Sequence, residues 1–356
     1  MDSSIDEVIQ FDFFHTRSEL GRRESTKDEA AELEARLREH HFDVAIDLRM
    51  HADTRQILQL SGARLLVGFD QAGRFPWLDV ALEWEGDNHL APKRTNIVDR
   101  LGQLVEALSV ACDEDRASIP FMERETAWNL LNGNPAIAAL PLTFSERPLV
   151  IVHPAVGNET RQWPEEHFAD LIDLLIEEEG VNVLLVGAGE EAPIADRVLE
   201  HVHHYSRVVS LLGALSLKEL PMLLKAAHLF VGNNSGPQHL AAALGIPTIG
   251  IHSGVVDATE WGPCGARAVA IRRKVVCSPC YIATAGDCHR QLACLRKLRP
   301  SDVYEVCRTL LGSGRESLSI QRSAKRSSVG SGTEASLRTH GEPSEPVVTR
   351  LQPREA

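Results

Sequence analysis

The sequence predicts an α/β fold built on parallel sheets, and three observations carry that expectation. In the second half, short apolar runs (PLVIVHP, VNVLLVGAG, VVSLLG, HLFVG, PTIGIHSG) alternate with helical stretches (PEEHFADLIDLLIEEEG, EEAPIADRVLEHVHH, SLKELPMLLKAA). Strands and helices that alternate at this spacing form a parallel sheet covered by helices on both faces. The first half shows the same mixture less regularly. The length, 356 residues, suffices for two α/β domains of ordinary size.

Each element follows from its residues in chain order. KDEAAELEARLREHH (Lys27 to His41) is charged, with apolar positions at helical spacing, and reads as a helix running into the apolar strand FDVAIDLR (Phe42 to Arg49). ARLLVGFD (Ala63 to Asp70) is a second strand, and TNIVDRLGQLVEALSV (Thr95 to Val110) an amphipathic helix. TAWNLLNG reads as a short helix and NPAIAALPLTFSERP as a linker. Residues 1–140 are therefore expected to form one domain and 141–312 the other. From 313 to 356 the chain turns polar and low in complexity (GRESLSIQRSAKRSSVGSG…), which predicts a disordered tail.

Composition narrows the function. Hydrophobic residues at 43% and charged residues at 24% are those of a soluble globular protein. A formal net charge of −13 supplies no basic excess to displace counterions, which argues against nucleic acid as a partner. No run of about 20 apolar residues is present to cross a bilayer, and MDSSIDEVIQFDFFH lacks a signal-peptide core. The expected compartment is the cytoplasm, with the seven cysteines mostly reduced.

Three strand ends in the second half carry the candidate chemistry, because ligands of open α/β sheets sit beyond the carboxyl ends of the strands. In GNNSGPQHLAAALGIP (Gly232 to Pro247) a polar turn opens an apolar helix. Pro237 suits its first turn, Ser235 or Gly236 is the N-cap, and Gly245 with Pro247 ends it. His239 then lies in the first turn, where unpaired N–H groups and the positive end of the helix dipole favour an anion. In HPAVGNETRQWPEEHF, Arg161 sits in a loop before a helix, as a bidentate phosphate ligand or a solvated surface arginine. VLLVGAGEEAPIAD mimics a dinucleotide fingerprint, but VVSLLG brings no acidic residue, and Glu190 and Glu191 repel a pyrophosphate. A carboxylate there suits ribose hydroxyls or an adenine amino group, or merely the helix dipole.

In this order these stretches resemble glycosyltransferase family 9, the ADP-heptose:lipopolysaccharide heptosyltransferases, across nearly all of residues 148–311. FDVAIDLR, ARLLVGFD and HLAPKRTNIVDRLGQLVEAL extend the likeness more loosely into the first half. The resemblance implies the GT-B fold: two facing Rossmann-like domains with the active site in the cleft, acceptor on the N-terminal side, nucleotide sugar on the C-terminal side. It implies a donor-binding role for Arg161, which stands where the family usually has lysine. The same role extends to Glu191 near the adenosine, and to Asn234, Ser235, Gly236 and His239. The last four match an Asp-Ser/Thr-Gly-x-x-His motif, with asparagine in place of aspartate. It implies an inverting, metal-independent transfer that needs no cofactor, with ADP leaving against helix N–H groups and the acceptor hydroxyl attacking the anomeric carbon.

In the family the general base is an aspartate after the first strand, in a segment like R-x-G-x-x-G-D. This sequence contains no such segment, and SIDEVIQFDFF resembles family sequence further in. The N-terminal domain is therefore expected to be incomplete. Asp47 and Asp70 close later strands and do not match the catalytic position, so no base is assigned.

KVVCSPCYIATAGDCHRQLACLRKL holds Cys277, Cys280, Cys288 and Cys294. A C-x-x-C followed by two further cysteines is compatible with structural thiols or a disulfide clip, with a structural zinc, or with a redox or iron–sulfur centre. The leading expectation is a sugar transferase in lipopolysaccharide or related glycan synthesis. Its partners are a nucleotide-sugar donor and a lipid-linked saccharide acceptor, met transiently at the cytoplasmic face of the inner membrane. A non-catalytic nucleotide-sugar-binding protein is the second reading and a dinucleotide oxidoreductase the third. The sugar, acceptor and linkage stay open.

Overall fold

Thr26 begins the described fold with a reciprocal cap: its hydroxyl accepts the Glu29 N–H at 3.2 Å, and the Glu29 carboxylate accepts the Thr26 N–H at 2.8 Å. Such a box stabilises a helix start by about 1 kcal/mol. The structure is a computed structural model that describes residues 6–11, 26–50, 54–84, 95–112, 126, 131, 133–141, 144, 146–319 and 346–350. The chain divides into two compact units, Met1–Pro120 and Phe121–Ala356.

In the first unit, helix α1 (Lys27–Glu39) precedes strand β1 (Val44–Ile46), short helix α2 (Ile57–Leu60), strands β2 (Leu65–Asp70) and β3 (Val80–Glu83), and helix α3 (Ile97–Cys112). The three strands are parallel and lie in the order β1-β2-β3. Arg55 is fully buried beside them, its Nη1 2.8 Å from Asp47 Oδ2, and a Cβ on Gly68 would lie 2.7 Å from that nitrogen. Glycine in β2 thus makes the room the guanidinium occupies. Ile46 and Leu48, at the end of edge strand β1, are 40% and 53% exposed.

The second unit begins earlier than the sequence suggests. NPAIAALPLTFSERP, expected as a linker, starts with short helix α4 (Pro135–Ala138), capped by Asn134, whose Oδ1 accepts the Ala136 N–H at 2.9 Å. Leu131, Ile137 and Phe144 are buried against the second unit's core. An Asn-Pro start and apolar side chains at helical spacing explain why this segment packs. The helix expected over TAWNLLNG lies largely outside the described residues.

Strand β4 (Leu149–His153), helix α5 (Glu165–Glu179), β5 (Asn182–Leu185), α6 (Ala192–His201), β6 (Val208–Ser210), α7 (Leu220–Ala226), β7 (Leu229–Asn233), α8 (Gly236–Ala243) and β8 (Thr248–Ile251) realise the predicted alternation. Short helix α9 (Ala258–Trp261), strand β9 (Ala268–Arg273), α10 (Ala293–Arg296), α11 (Pro300–Ser319) and β10 (Pro346–Arg350) complete the unit. The sheet order is β10-β9-β8-β7-β4-β5-β6, with every pair parallel except β10 on β9. Two buried clusters sandwich it, one including Trp163, Phe168 and Leu175, the other Leu184, Leu224 and Phe230. Trp163 is wholly buried and donates from its indole to the Leu298 carbonyl at 3.0 Å. Removing such a ring costs about 3–5 kcal/mol.

The tail departs from the expected disorder from 313: α11 runs on to Ser319, and Pro346–Arg350 pairs with β9. The physical reason is local. PVVTR is a β-branched run inside a polar tail, and β9 offers an open edge that such a run can satisfy. Among the described residues no helix is long and apolar enough to cross a membrane.

The strand order reverses between β4 and β7, which lie side by side while their following helices turn to opposite faces. That is the switch point at which doubly wound sheets bind ligands. The register sets His153, the last residue of β4, opposite Gly232 in β7. A Cβ on Gly232 would sit 3.0 Å from the His153 carbonyl oxygen, so glycine permits this close approach.

Candidate functional site

A pocket of about 570 Å³ opens at the switch point, walled by His153, Gly187, Gly189, Glu191, Ser235 and Gly236 among others. Its size falls within the roughly 300–1,000 Å³ of small-ligand sites. The wall is thin at one place: Gly213 has φ +71, and a Cβ there would lie 2.9 Å from Gly189 Cα, so the two loops meet backbone to backbone.

His153 organises the floor. Its Nε2 lies 3.3 Å from Glu191 Oε2 and its Nδ1 3.0 Å from Ser235 Oγ. Glu191 Oε2 also accepts the Ala188 N–H at 2.8 Å. The hydrogen bond from His153, ahead of opposing burial and aided by Ala188, holds the Glu191 carboxyl below its ordinary range. Ser235 has the extended backbone of an N-cap, yet its side chain makes no cap bond to α8; its hydroxyl lies instead 3.1 Å from the Asn233 carbonyl. The first N–H groups of α8, those of Gly236 and Gln238 since Pro237 has none, consequently carry no serine cap, and Ser235, Gly236 and Pro237 line the pocket.

Asn234 and His239 occupy a second, buried cluster beside the pocket rather than its wall. Asn234 Oδ1 accepts from Gln238 Nε2 at 2.8 Å, the same nitrogen lies 3.3 Å from His239 Nε2, and Gln238 Oε1 lies 3.3 Å from His252 Nε2. Gln238 Nε2 also lies 3.3 Å from the Trp261 carbonyl. Burial holds His239 below its ordinary value and pushes His252 down to about 3, the latter helped by His239, Arg272 and Arg161. Both rings are therefore neutral near pH 7. With Gln238 donating to His239 Nε2 and accepting from His252 Nε2, the His239 proton lies on Nδ1 and His252 Nδ1 is bare. Asn234 Nδ2, His239 Nδ1 and His252 Nδ1 are buried and have no hydrogen-bond partner among the described residues. Three such atoms in one cluster mark a place that calls for a polar ligand or water.

Arg161 ends a 3₁₀ turn (Glu159–Arg161) before α5, and its charge acts on His252 rather than in the pocket wall. The turn is anchored to the cysteine segment: Glu159 Oε1 accepts the Ala285 N–H at 3.0 Å, and Asn158 Nδ2 reaches the Ala283 carbonyl at 3.4 Å. Of the six expected donor-site residues the pocket thus gathers Glu191, Ser235 and Gly236, while Asn234, His239 and Arg161 surround the adjacent cluster. Sequence reasoning missed His153, Gln238 and His252. Both histidines lie at strand ends, His153 closing β4 and His252 just after β8, which is the signal that could have found them.

Cys277, Cys280, Cys288 and Cys294 line one void of about 10 Å³, space for a single small atom. All four are free thiols, so no disulfide clip joins them. Burial pushes the Cys280 and Cys294 thiols up, and Cys288 Sγ accepts the Leu292 N–H at 3.2 Å. Among the described residues no set of three or more His, Cys, Asp or Glu side chains is arranged to hold a metal. The structural zinc, one of the three alternatives read from the sequence, is thus not shown among the described residues.

Asp47 and Asp70 of the first unit are engaged locally. Asp47 accepts the Arg49 N–H at 2.9 Å and the Thr54 hydroxyl at 3.0 Å besides pairing with Arg55. Asp70 Oδ1 accepts the Gln71 and Phe75 N–H groups at 2.8 and 3.0 Å.

Comparison with known proteins bears on this geometry. The chain matches the model of glycosyltransferase family 9 (heptosyltransferase) over residues 30–286. It is similar to the lipooligosaccharide heptosyltransferase 2 of Haemophilus ducreyi, 30% identical over 179 residues, which are 46% of this chain and 51% of that protein. The chain thus spans about half the length of that relative. Its structure resembles the E. coli ADP-heptose lps heptosyltransferase II, with a TM-score of 0.58 at 22% identity over 81% of this chain and 82% of that one. It also resembles E. coli heptosyltransferase WaaC with ADP, with a TM-score of 0.52 at 19% identity over 80% and 79%. At these identities the likeness is one of fold: mixed α/β with parallel sheets, the GT-B architecture.

Proposed function

This chain belongs to glycosyltransferase family 9, and we propose on that premise that it transfers a sugar from a nucleotide-sugar donor to a glycan acceptor. Heptose from ADP-heptose is the donor group, and a lipopolysaccharide-core or related lipid-linked saccharide is the acceptor. The observation that carries the reading is the amino end of α8. Its N-cap serine makes no cap bond, and Ser235, Gly236 and Pro237 line a pocket of nucleotide size at the switch point of the sheet.

Each residue then has a task. Glu191 in the pocket wall takes the ribose or adenine end of the nucleotide. The diphosphate rests against the first turn of α8 at Gly236, and His239 Nδ1–H and the Arg161 guanidinium supply further donors. The acceptor hydroxyl attacks the anomeric carbon as the bond to the diphosphate breaks, which inverts that centre, and its proton passes to a carboxylate that is not assigned on this chain. Charge on the departing ADP is met by N–H, imidazole and guanidinium groups, so the reading needs neither a cofactor nor a metal. The lipid-linked acceptor brings the protein to the cytoplasmic face of the inner membrane by transient contact.

A second reading, a nucleotide-sugar-binding protein without turnover, is favoured by Asn234, which stands where the family motif has aspartate. Calorimetry with ADP, ADP-heptose and NAD, followed by turnover with an acceptor saccharide, tests both. Binding of ADP and ADP-heptose with heptose transfer is expected. Binding without transfer supports the second reading, and preference for NAD overturns both.

A further inference from the structure

We infer that His153 is a positioning residue of the donor site: one imidazole holds the Ser235 hydroxyl off the start of α8 and fixes the Glu191 carboxylate in the pocket wall. The inference deepens the donor-site reading above and rests on it.

The ring is held tightly. His153 is 3% exposed, and its strand position faces Gly232, where an added Cβ would lie 3.2 Å from His153 Cβ. Its two nitrogens serve two elements far apart in sequence. Nδ1 meets Ser235, 82 residues on, and Nε2 meets Glu191, 38 residues on. A carboxylate only accepts, so in the neutral ring Nε2 carries the proton and Nδ1 is the acceptor. The Ser235 hydroxyl proton is then drawn toward Nδ1 and the Asn233 carbonyl, at 3.0 and 3.1 Å.

The consequence lies in what Ser235 does not do. Serine at an N-cap ordinarily turns its oxygen onto the N–H of the second or third helical residue; here the second is Pro237, which has none, so the amide at stake is that of Gln238. Such a bond would place a hydroxyl oxygen on one of the two donors, the Gly236 and Gln238 N–H groups, that this first turn offers a phosphate. With His153 in place that bond is absent, and the Gln238 N–H carries no serine oxygen. The opposite nitrogen meanwhile keeps Glu191 beside the Ala188 N–H and at the pocket. Phosphate end and nucleoside end of the site are thus arranged by one side chain that lies beneath both.

The test is calorimetry of the full chain with ADP and with adenosine, each variant checked by thermal melting. His153→Ala should weaken ADP by about tenfold or more, the scale of one lost polar interaction. Adding Ser235→Ala to it should recover much of that loss, because no hydroxyl remains to cap α8. A merely structural role would lower the melting temperature without producing that rescue. His153→Asn, which keeps the reach of Nδ1, should preserve the preference for ADP over adenosine. His153→Gln, which keeps the reach of Nε2, should preserve adenosine binding and lose that preference. If His153→Ala fails to fold, the Asn and Gln pair decides. Folded variants that bind ADP within twofold of the unmodified chain, or losses from His153→Ala and Ser235→Ala that simply add, would overturn the inference alone. An unmodified chain that does not bind ADP would overturn the donor-site reading and the inference with it.

Discussion

The backbone N–H of Trp163 donates to Asn233 Oδ1 at 3.1 Å, and the same amide returns a bond from Nδ2 to the Pro154 carbonyl at 2.7 Å. One fully buried side chain thereby ties the segment that carries Arg161 to the end of β7, two residues before Ser235.

Asn233→Ala should therefore destabilise the protein more than a surface change would. It leaves the buried Trp163 N–H without its partner, worth about 1–3 kcal/mol, while the Pro154 carbonyl keeps its bond from Gln162 Nε2 at 2.7 Å. Urea unfolding should show a loss of about 1–3 kcal/mol. An unchanged midpoint would remove Asn233 from this role.

Arg161→Ala and His239→Ala should each weaken ADP binding by about 1–3 kcal/mol, as loss of a charge-assisted or buried hydrogen bond does. Calorimetry at constant salt measures both. Unchanged affinity in both variants would withdraw the phosphate-binding assignment.

Asn234→Asp restores the family's acidic residue at a site that is 3% exposed. A carboxylate there repels a bound diphosphate and can still accept from Gln238 Nε2. ADP affinity should fall by about 1–2 kcal/mol while turnover with an acceptor rises. A rise in ADP affinity would contradict this placement of charge.

His252 gives stability a pH dependence of known sign. Its folded value, about 3, lies below the ordinary 6.5 because burial disfavours the cation. Between those values the unfolded chain binds the extra proton, so stability is present above the ordinary value and falls as pH is lowered through the window. From pH 7 to pH 5 this group should remove about 2 kcal/mol. Denaturant unfolding at both pH values, with His252→Leu as comparison, checks it; an equal loss in the variant would assign the effect elsewhere.

Much of this fold is legible in the sequence because a parallel sheet buried on both faces needs continuous apolar runs, and β4, β5, β7 and β8 are buried at every residue. The opening of α8 is legible too, since Ser-Gly-Pro admits few other local conformations. Side-chain direction is not legible. Asn233 and Asn234 are neighbours, yet the first turns to Trp163 and Pro154 and the second to Gln238. His153 is silent in sequence because its role exists only where β4 and β7 meet, between residues 82 apart. Polarity and turn residues make the linker and the tail read as irregular, whereas Ile137 is buried in a core that other segments provide and Pro346–Arg350 pairs with β9.

The central claim is that a nucleotide's phosphates rest against the amino end of α8, and a crystal of the full chain soaked with ADP tests it most directly. The account predicts diphosphate density within hydrogen-bond distance of the Gly236 N–H, with the ribose or adenine beside Glu191. ADP bound at full occupancy elsewhere, with the first turn of α8 untouched, would contradict it.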